Sequence, residues 1–517
     1  MKKIIATFTV IIILSSVSCR REELPTPAGD SSGEILKEKQ NPVPVPPGAP
    51  LSQQKIDNQI NELMDSEKDF RWEWVDLKTL WSAVQYNDNS LAVGYKPTGY
   101  GDVSSIIHQI DVKSGAWKAV HDALINLVIT ELNKDSRELV TASDIIIEDD
   151  ADLPIITFKL TNRYAITRLY NLENVRYLEP LGYWPQDSRY NERSTSGCSS
   201  STEPLNTSDW TTLVPGCRLP WNFNNVNVPA AWNTAQGQGI KIGVIDAGIS
   251  SAQSLLGSQF TNGYSNVSRT VTTDYTYGTS AYTTCTHGTS MSGLAAGPRN
   301  DQNASTGVAY KSSIHFIRAC EDVVLDGSAE KTGVKNALVK MGKKHDIKII
   351  SMSVGTPFAS SVLQDGVTFA YNKGKMLFAA AGTSFSLTTW WGVIYPAAYS
   401  QCNAITGVKE NGSTCSSCHD GSQVDFTVPM ERDANDNRNS LSLPFSGNVI
   451  TYIGGSSAAT ATAAGIAALV WSAKPTLTRS EVFTCLRNTS QYYSGTSSSH
   501  GYGNLNASAA VSMALTY

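Results

Sequence analysis

Apolar positions change their rhythm along the chain. Ile56, Ile60, Leu63 and Met64 recur at three- and four-residue steps, which places them on one face of a helix, and Trp117 to Leu132 holds a second helical pattern. Ile145-Ile146-Ile147 and Ile155 to Leu160 read as strands. From Trp221 to the end, buried-type strands alternate with helical stretches, which predicts a mostly parallel sheet covered by helices, an α/β architecture. An α+β block at 51–190, without a single cysteine, therefore precedes an α/β body at 221–517. Between them, residues 191–220 are rich in Ser, Thr, Asn and Gly and read as a junction.

A chain of 517 residues is long for one domain and suggests two or three. With 41% hydrophobic residues a sizeable core can form, and a net charge of -5 with no long run of one sign argues against a nucleic-acid partner. Lys2, Lys3 and the apolar run Ile4 to Leu14 read as an export signal over residues 1–18; the run is too short to span a bilayer. Cys19 after small residues resembles the lipid-modified first residue of bacterial lipoproteins, with Ser16 where Leu is usual; ordinary signal cleavage beside an incidental cysteine is the alternative. Residues 19–50 then form an anchor and linker, in which Pro42 to Pro47 should be an extended spacer. The resemblance implies membrane contact through the lipid only. Without Cys19, eight cysteines remain, enough for up to four bridges in an oxidising compartment.

Three segments carry chemistry. In Gly239 to Ile249 an apolar strand ends on Asp246, and parallel α/β sheets place chemistry at strand ends. Thr286 to Gly297 opens on His287 and continues in small residues that allow close packing. Gly454 to Gly465 puts Ser457 at the start of an Ala-rich helix, where backbone N–H groups can hold a developing oxyanion. Taken singly, a turn-capping Asp, a structural His and an N-cap Ser explain each. Together they run in the order Asp, His, Ser that is associated with subtilisin.

On these motifs the chain resembles the subtilase family of serine peptidases over about 290 residues from Trp221 onward. The resemblance implies a triad of Asp246, His287 and Ser457, an acyl-enzyme mechanism, and polypeptide substrates. It also implies that Ser353, Val354 and Gly355, after the strand at Ile349, bind substrate by strand addition. Ala165 to Leu169 and Asn174 to Pro180 look like the closing helix and strand of a subtilase propeptide, which would make residues 51–190 an intramolecular inhibitor and the protein a zymogen; a separate accessory domain is the alternative.

The chain departs from the family in ways that matter. Thr383 stands where the oxyanion-hole Asn is usual, offering one hydroxyl donor in place of an amide. Gly288-Thr289-Ser290-Met291 resembles the family's nucleophile sequence more than Gly455-Ser456-Ser457-Ala458 does, so Ser290 competes with Ser457. Ala247, Ser290 and Ala461 replace the usual Thr or Ser, His and Pro. A catalytically weak or inactive subtilase-scaffold binding lipoprotein is the competing reading. Cys415-Ser416-Ser417-Cys418-His419 has the haem-attachment form, although structural disulfides account for it and zinc is a further alternative. Subtilases often bind calcium; Asp433, Asn435 and Asp436 cluster oxygens but define no ligand set, and no cofactor or metal residue is assigned.

Overall fold

The structure is a computed structural model, and it describes residues 35–134, 136–186, 197–198, 201–383 and 392–517. The export segment and Cys19 lie outside the described residues.

The N-terminal body is built on an antiparallel sheet ordered β2-β3-β1-β4, from β1 (Ser90–Tyr95), β2 (Ile146–Asp149), β3 (Ile155–Lys159) and β4 (Val175–Glu179). Helices Gln53–Glu67, Leu77–Val84, Gly115–Asn133 and Arg163–Tyr170 add to its apolar core, which includes Ile56, Ile60, Trp117 and Leu169. These elements match the two periodicities in the sequence. Asn162 starts the last helix by accepting from the Tyr164 and Ala165 N–H groups.

The extended segment around the proline-rich stretch is tied to the N-terminal body by two asparagine side chains. Val43 exchanges both backbone groups with the side-chain amide of Asn171, each at 2.8 Å, and Lys37 N–H donates to Asn174 at 2.8 Å. Two asparagines thus satisfy an extended backbone that cannot pair with itself.

The second body contains a nine-stranded sheet ordered β15-β14-β13-β12-β11-β10-β7-β9-β8. After a small hairpin, β5 (Trp210–Leu213) and β6 (Cys217–Pro220), come β7 (Lys241–Asp246), β8 (Val271–Tyr275), β9 (Ser313–Arg318), β10 (Ile347–Met352), β11 (Met376–Ala380) and β12 (Cys402–Lys409). The sheet ends with β13 (Phe426–Arg432), β14 (Asn435–Ser442) and β15 (Thr451–Ile453). Strands from β8 across to β13 are parallel; β14 and β15 are antiparallel. Helices His287–Ala296 and Gly455–Ala473 pack together on the sheet, and Ser328–Lys343 and Ser361–Asn372 pair with one another.

The hairpin corrects the junction boundary. Asp209, wholly buried, takes hydrogen bonds from Arg432 Nε at 2.9 Å, Arg438 Nε at 2.8 Å and the Tyr452 hydroxyl. A polar sequence that reads as loop is pinned here by one buried carboxylate between two guanidiniums, so the body starts near residue 206. Of the eight cysteines, Cys198–Cys285 and Cys415–Cys418 form disulfides, while Cys217, Cys320, Cys402 and Cys485 are buried thiols.

The two bodies share a core: Val339, Phe358, Val362 and Phe369 of the second pack into the first. Buried charges register the contact. Arg176 grips Asp365 through two hydrogen bonds of 2.8 and 2.7 Å, and Tyr177 donates to Asp365 at 2.9 Å. Lys335, fully buried, meets Glu148 at 3.0 Å and also Asp150. Glu179 accepts from the Val362 N–H at 3.2 Å at the start of a helix.

Candidate active site

Strand β7 is where the sheet changes direction. The chain leaves it for β8 and β9 on one side, then crosses to β10 and onward on the other. Open α/β sheets form their ligand crevice at such a point, beyond the strand carboxyl ends. Asp246 is the last residue of β7 and is wholly buried; His287 is the first residue of its helix and nearly as buried. His287 Nδ1 lies 2.8 and 3.0 Å from the two carboxylate oxygens. This contact orients the ring and leaves Nε2 for another partner. The close approach requires Gly288, since a Cβ there would stand 2.3 Å from the Gly248 carbonyl oxygen.

Burial by itself disfavours a cationic imidazole. The charge of Asp246 and its hydrogen bond outweigh that cost, with a smaller contribution from Asp322, so the His287 pKa is held above its ordinary value. A base poised upward in this way is the arrangement general acid–base catalysis uses.

Ser457 lies in the first turn of helix Gly455–Ala473 and is half-buried. Its carbonyl accepts from Ser353 Oγ at 3.1 Å, which holds the helix start over the end of β10. Ser290, the competing serine, is buried and its hydroxyl donates to the Leu443 carbonyl at 2.8 Å. Its place three residues after His287 serves packing.

Thr383 follows β11. Its Oγ1 accepts from the Ser456 N–H at 3.0 Å and lies 2.9 Å from Ser456 Oγ, which itself accepts from the Gly382 N–H at 3.1 Å. Gly455, at φ +70°, makes room, because a Cβ there would sit 2.6 Å from Thr383 Oγ1. On its other side Thr383 bridges Cys418, and His419 N–H donates to the Gly382 carbonyl at 2.9 Å. The sequence offered no sign of Ser456 as a partner of Thr383.

Ser353, Val354 and Gly355 lie beyond the end of β10, all buried. Gly355 is already paired: its N–H donates to Val323 O and its carbonyl accepts from Leu325 N–H, both at 2.8 Å. Strand addition at Gly355 therefore competes with this segment.

Cys415 and Cys418 are bonded to each other, so neither sulfur is free for a thioether or a metal. His419 Nδ1 contacts the Gly392 carbonyl at 2.9 Å, and burial pushes its pKa down to about 4. The oxygens suggested for calcium already have partners within the chain: Asp436 pairs with Lys409 at 3.0 Å, Asp433 accepts from Asn411 N–H, and the Asn435 amide oxygen accepts from Asn437 N–H. Among the described residues no cluster of three or more His, Cys, Asp or Glu side chains is placed for a metal.

A parallel sheet with a buried Asp–His pair at its switch point, whose His helix packs on a second helix carrying a serine in its first turn, is the arrangement of a subtilisin-like serine peptidase. The chain belongs to the subtilase family, whose profile matches residues 237–504. Thermitase of Thermoactinomyces vulgaris is 29% identical over 286 residues, covering 55% of this chain and 93% of that protein. Subtilisin E of Bacillus subtilis (strain 168) is 28% identical over 294 residues, covering 57% of this chain and 71% of that protein. Among solved structures, a protease from Pseudoalteromonas arctica PAMC 21717 aligns with 61% of this chain and all of its own, at 21% identity and a TM-score of 0.47.

Proposed function

We propose that this subtilisin-like serine peptidase is an endopeptidase that acts through Asp246, His287 and Ser457. The buried 2.8 Å contact between Asp246 and His287 Nδ1 carries the reading. His287 takes the proton from the Ser457 hydroxyl as Ser457 attacks the scissile carbonyl, then gives it to the leaving amine; Asp246 holds the tautomer and stabilises the imidazolium. The backbone N–H near Ser457 and the Thr383 hydroxyl receive the oxyanion. Ser353 and Val354 border the substrate backbone.

The N-terminal body, packed on helices Ser328–Lys343 and Ser361–Asn372, fits an inhibitory propeptide, and the signal at residues 1–18 with Cys19 fits an exported, lipid-anchored zymogen. A fluorophosphonate probe should label the mature protein, and Ser457→Ala should abolish both labelling and processing between the two bodies. Undiminished labelling of that variant would exclude Ser457. Thr383 favours a second reading, a weak or inactive scaffold, for which full-length unprocessed protein without labelling is the signature.

A further inference from the structure

Three hydrogen bonds converge on two hydroxyls next to the proposed nucleophile in sequence, and counting their protons assigns a direction. The Gly382 N–H must donate to Ser456 Oγ, and the Ser456 N–H must donate to Thr383 Oγ1, because backbone amides only donate. The 2.9 Å contact between the hydroxyls then has two solutions. If Thr383 donates, Ser456 Oγ accepts twice and its own proton has no partner. Ser456 is only 1% exposed, so that solution strands a donor in the interior. If Ser456 donates, Thr383 Oγ1 accepts twice and its proton is released. Thr383 is the partly exposed member, so this solution strands nothing.

We propose that Ser456 is a positioning residue that saturates the acceptor sites of Thr383 and so turns its hydroxyl into a dedicated donor, replacing the missing amide of the oxyanion hole. The inference rests on the triad reading above and deepens it. A free threonine hydroxyl rotates and can accept as readily as it donates; a doubly accepting one can only donate, and preorganised donors are the effective ones. The segment is braced from behind, since His419 N–H holds the Gly382 carbonyl at 2.9 Å and Cys418 pairs with Thr383. Gly382 and Thr383 are thus clamped between the serine helix and the Cys415–Cys418 loop.

The test is a double-mutant cycle on the full chain, read by the second-order rate of fluorophosphonate labelling and by kcat and KM on casein. Removing one oxyanion donor costs about 10²–10³ in kcat, so Thr383→Val should fall in that range, and Ser456→Ala should lose about tenfold with KM changed less than about twofold. The double variant should be no slower than Thr383→Val alone, because Ser456 acts only through Thr383. Ser456→Thr should restore the rate, and the acid limb of the pH profile, which belongs to His287, should not move. Should Ser456→Ala fail to fold, Ser456→Cys keeps the volume but donates weakly and carries the same comparison. Losses that multiply in the double variant, or a Ser456→Ala effect confined to KM, would overturn the proposal. Labelling of the wild type that Ser457→Ala abolishes keeps the triad reading standing whatever the cycle returns, whereas a wild type that does not label overturns both.

Discussion

At the residue scale the decisive group is His287, whose burial lowers its pKa while Asp246 raises it further. Catalysis needs the neutral ring, so kcat/KM should fall as pH drops through the imidazole pKa, and the midpoint should lie above the ordinary 6.5 because Asp246 raises it. Asp246→Asn removes the charge but not the burial. The midpoint should then move down, and kcat should drop by about 10⁴ as the tautomer is lost. A pH–rate profile of both proteins measures the two effects together. The pairing of Asp246 with His287 was legible in the sequence because the Asp ends an apolar strand just before Gly248 and the His opens a run of small residues. The helix that carries Ser457 was legible from its Ala-rich run. Ser456 was not, since a hydroxyl pair formed across 73 residues leaves no local pattern.

At the element scale, periodicity found the helices and strands whose faces are apolar, and missed those held by single polar groups. The hairpin β5–β6 depends on Asp209, and the extended segment from Lys37 to Val43 depends on Asn171 and Asn174. Arg269 works in the same way. Its buried guanidinium donates to the backbone carbonyls of Ser312 at 2.9 Å, Phe260 at 3.4 Å, Tyr310 and Ala296, tying the C-terminus of the His287 helix to the start of β9. Arg269→Met would leave these acceptors unpaired and should cost roughly 2–4 kcal/mol, seen as a lower denaturant midpoint. No spacing rule announces such a residue, because its partners are carbonyls that every sequence has.

At the scale of the whole molecule, the contact between the two bodies carries buried charge. Arg176→Met would leave Asp365 buried without its cation, a loss of roughly 3–5 kcal/mol in the stability of the joined form. Glu179 gives the contact a pH dependence. Burial raises its pKa to about 7, against which Lys331, the Ser360 hydroxyl and the Val362 N–H pull down, while Glu73 adds to the rise. A carboxyl raised above its unfolded value of 4.5 stabilises the folded contact fully below that value, and the contribution is lost as pH climbs through about 7. The N-terminal body should therefore hold more tightly at pH 5 than at pH 8, by thermal melting of the Ser457→Ala zymogen, and Glu179→Gln should flatten the difference. The architecture of both bodies was legible from pattern and motif. Their mutual register was not, because it rests on pairs such as Arg176 and Asp365, 189 residues apart.

The Cys198–Cys285 bond spans 87 residues and ends two positions before His287. Asp246 lies inside the ring it closes. A backbone cut anywhere between the two cysteines would therefore sever the peptide without separating the pieces, and the aspartate and histidine would stay on one covalent frame. Nicked protein should run as a single band on a gel without reductant and as two with it. For the segment between the bodies, the position of a cut relative to Cys198 decides whether the N-terminal body is a leaving fragment or a permanently attached one.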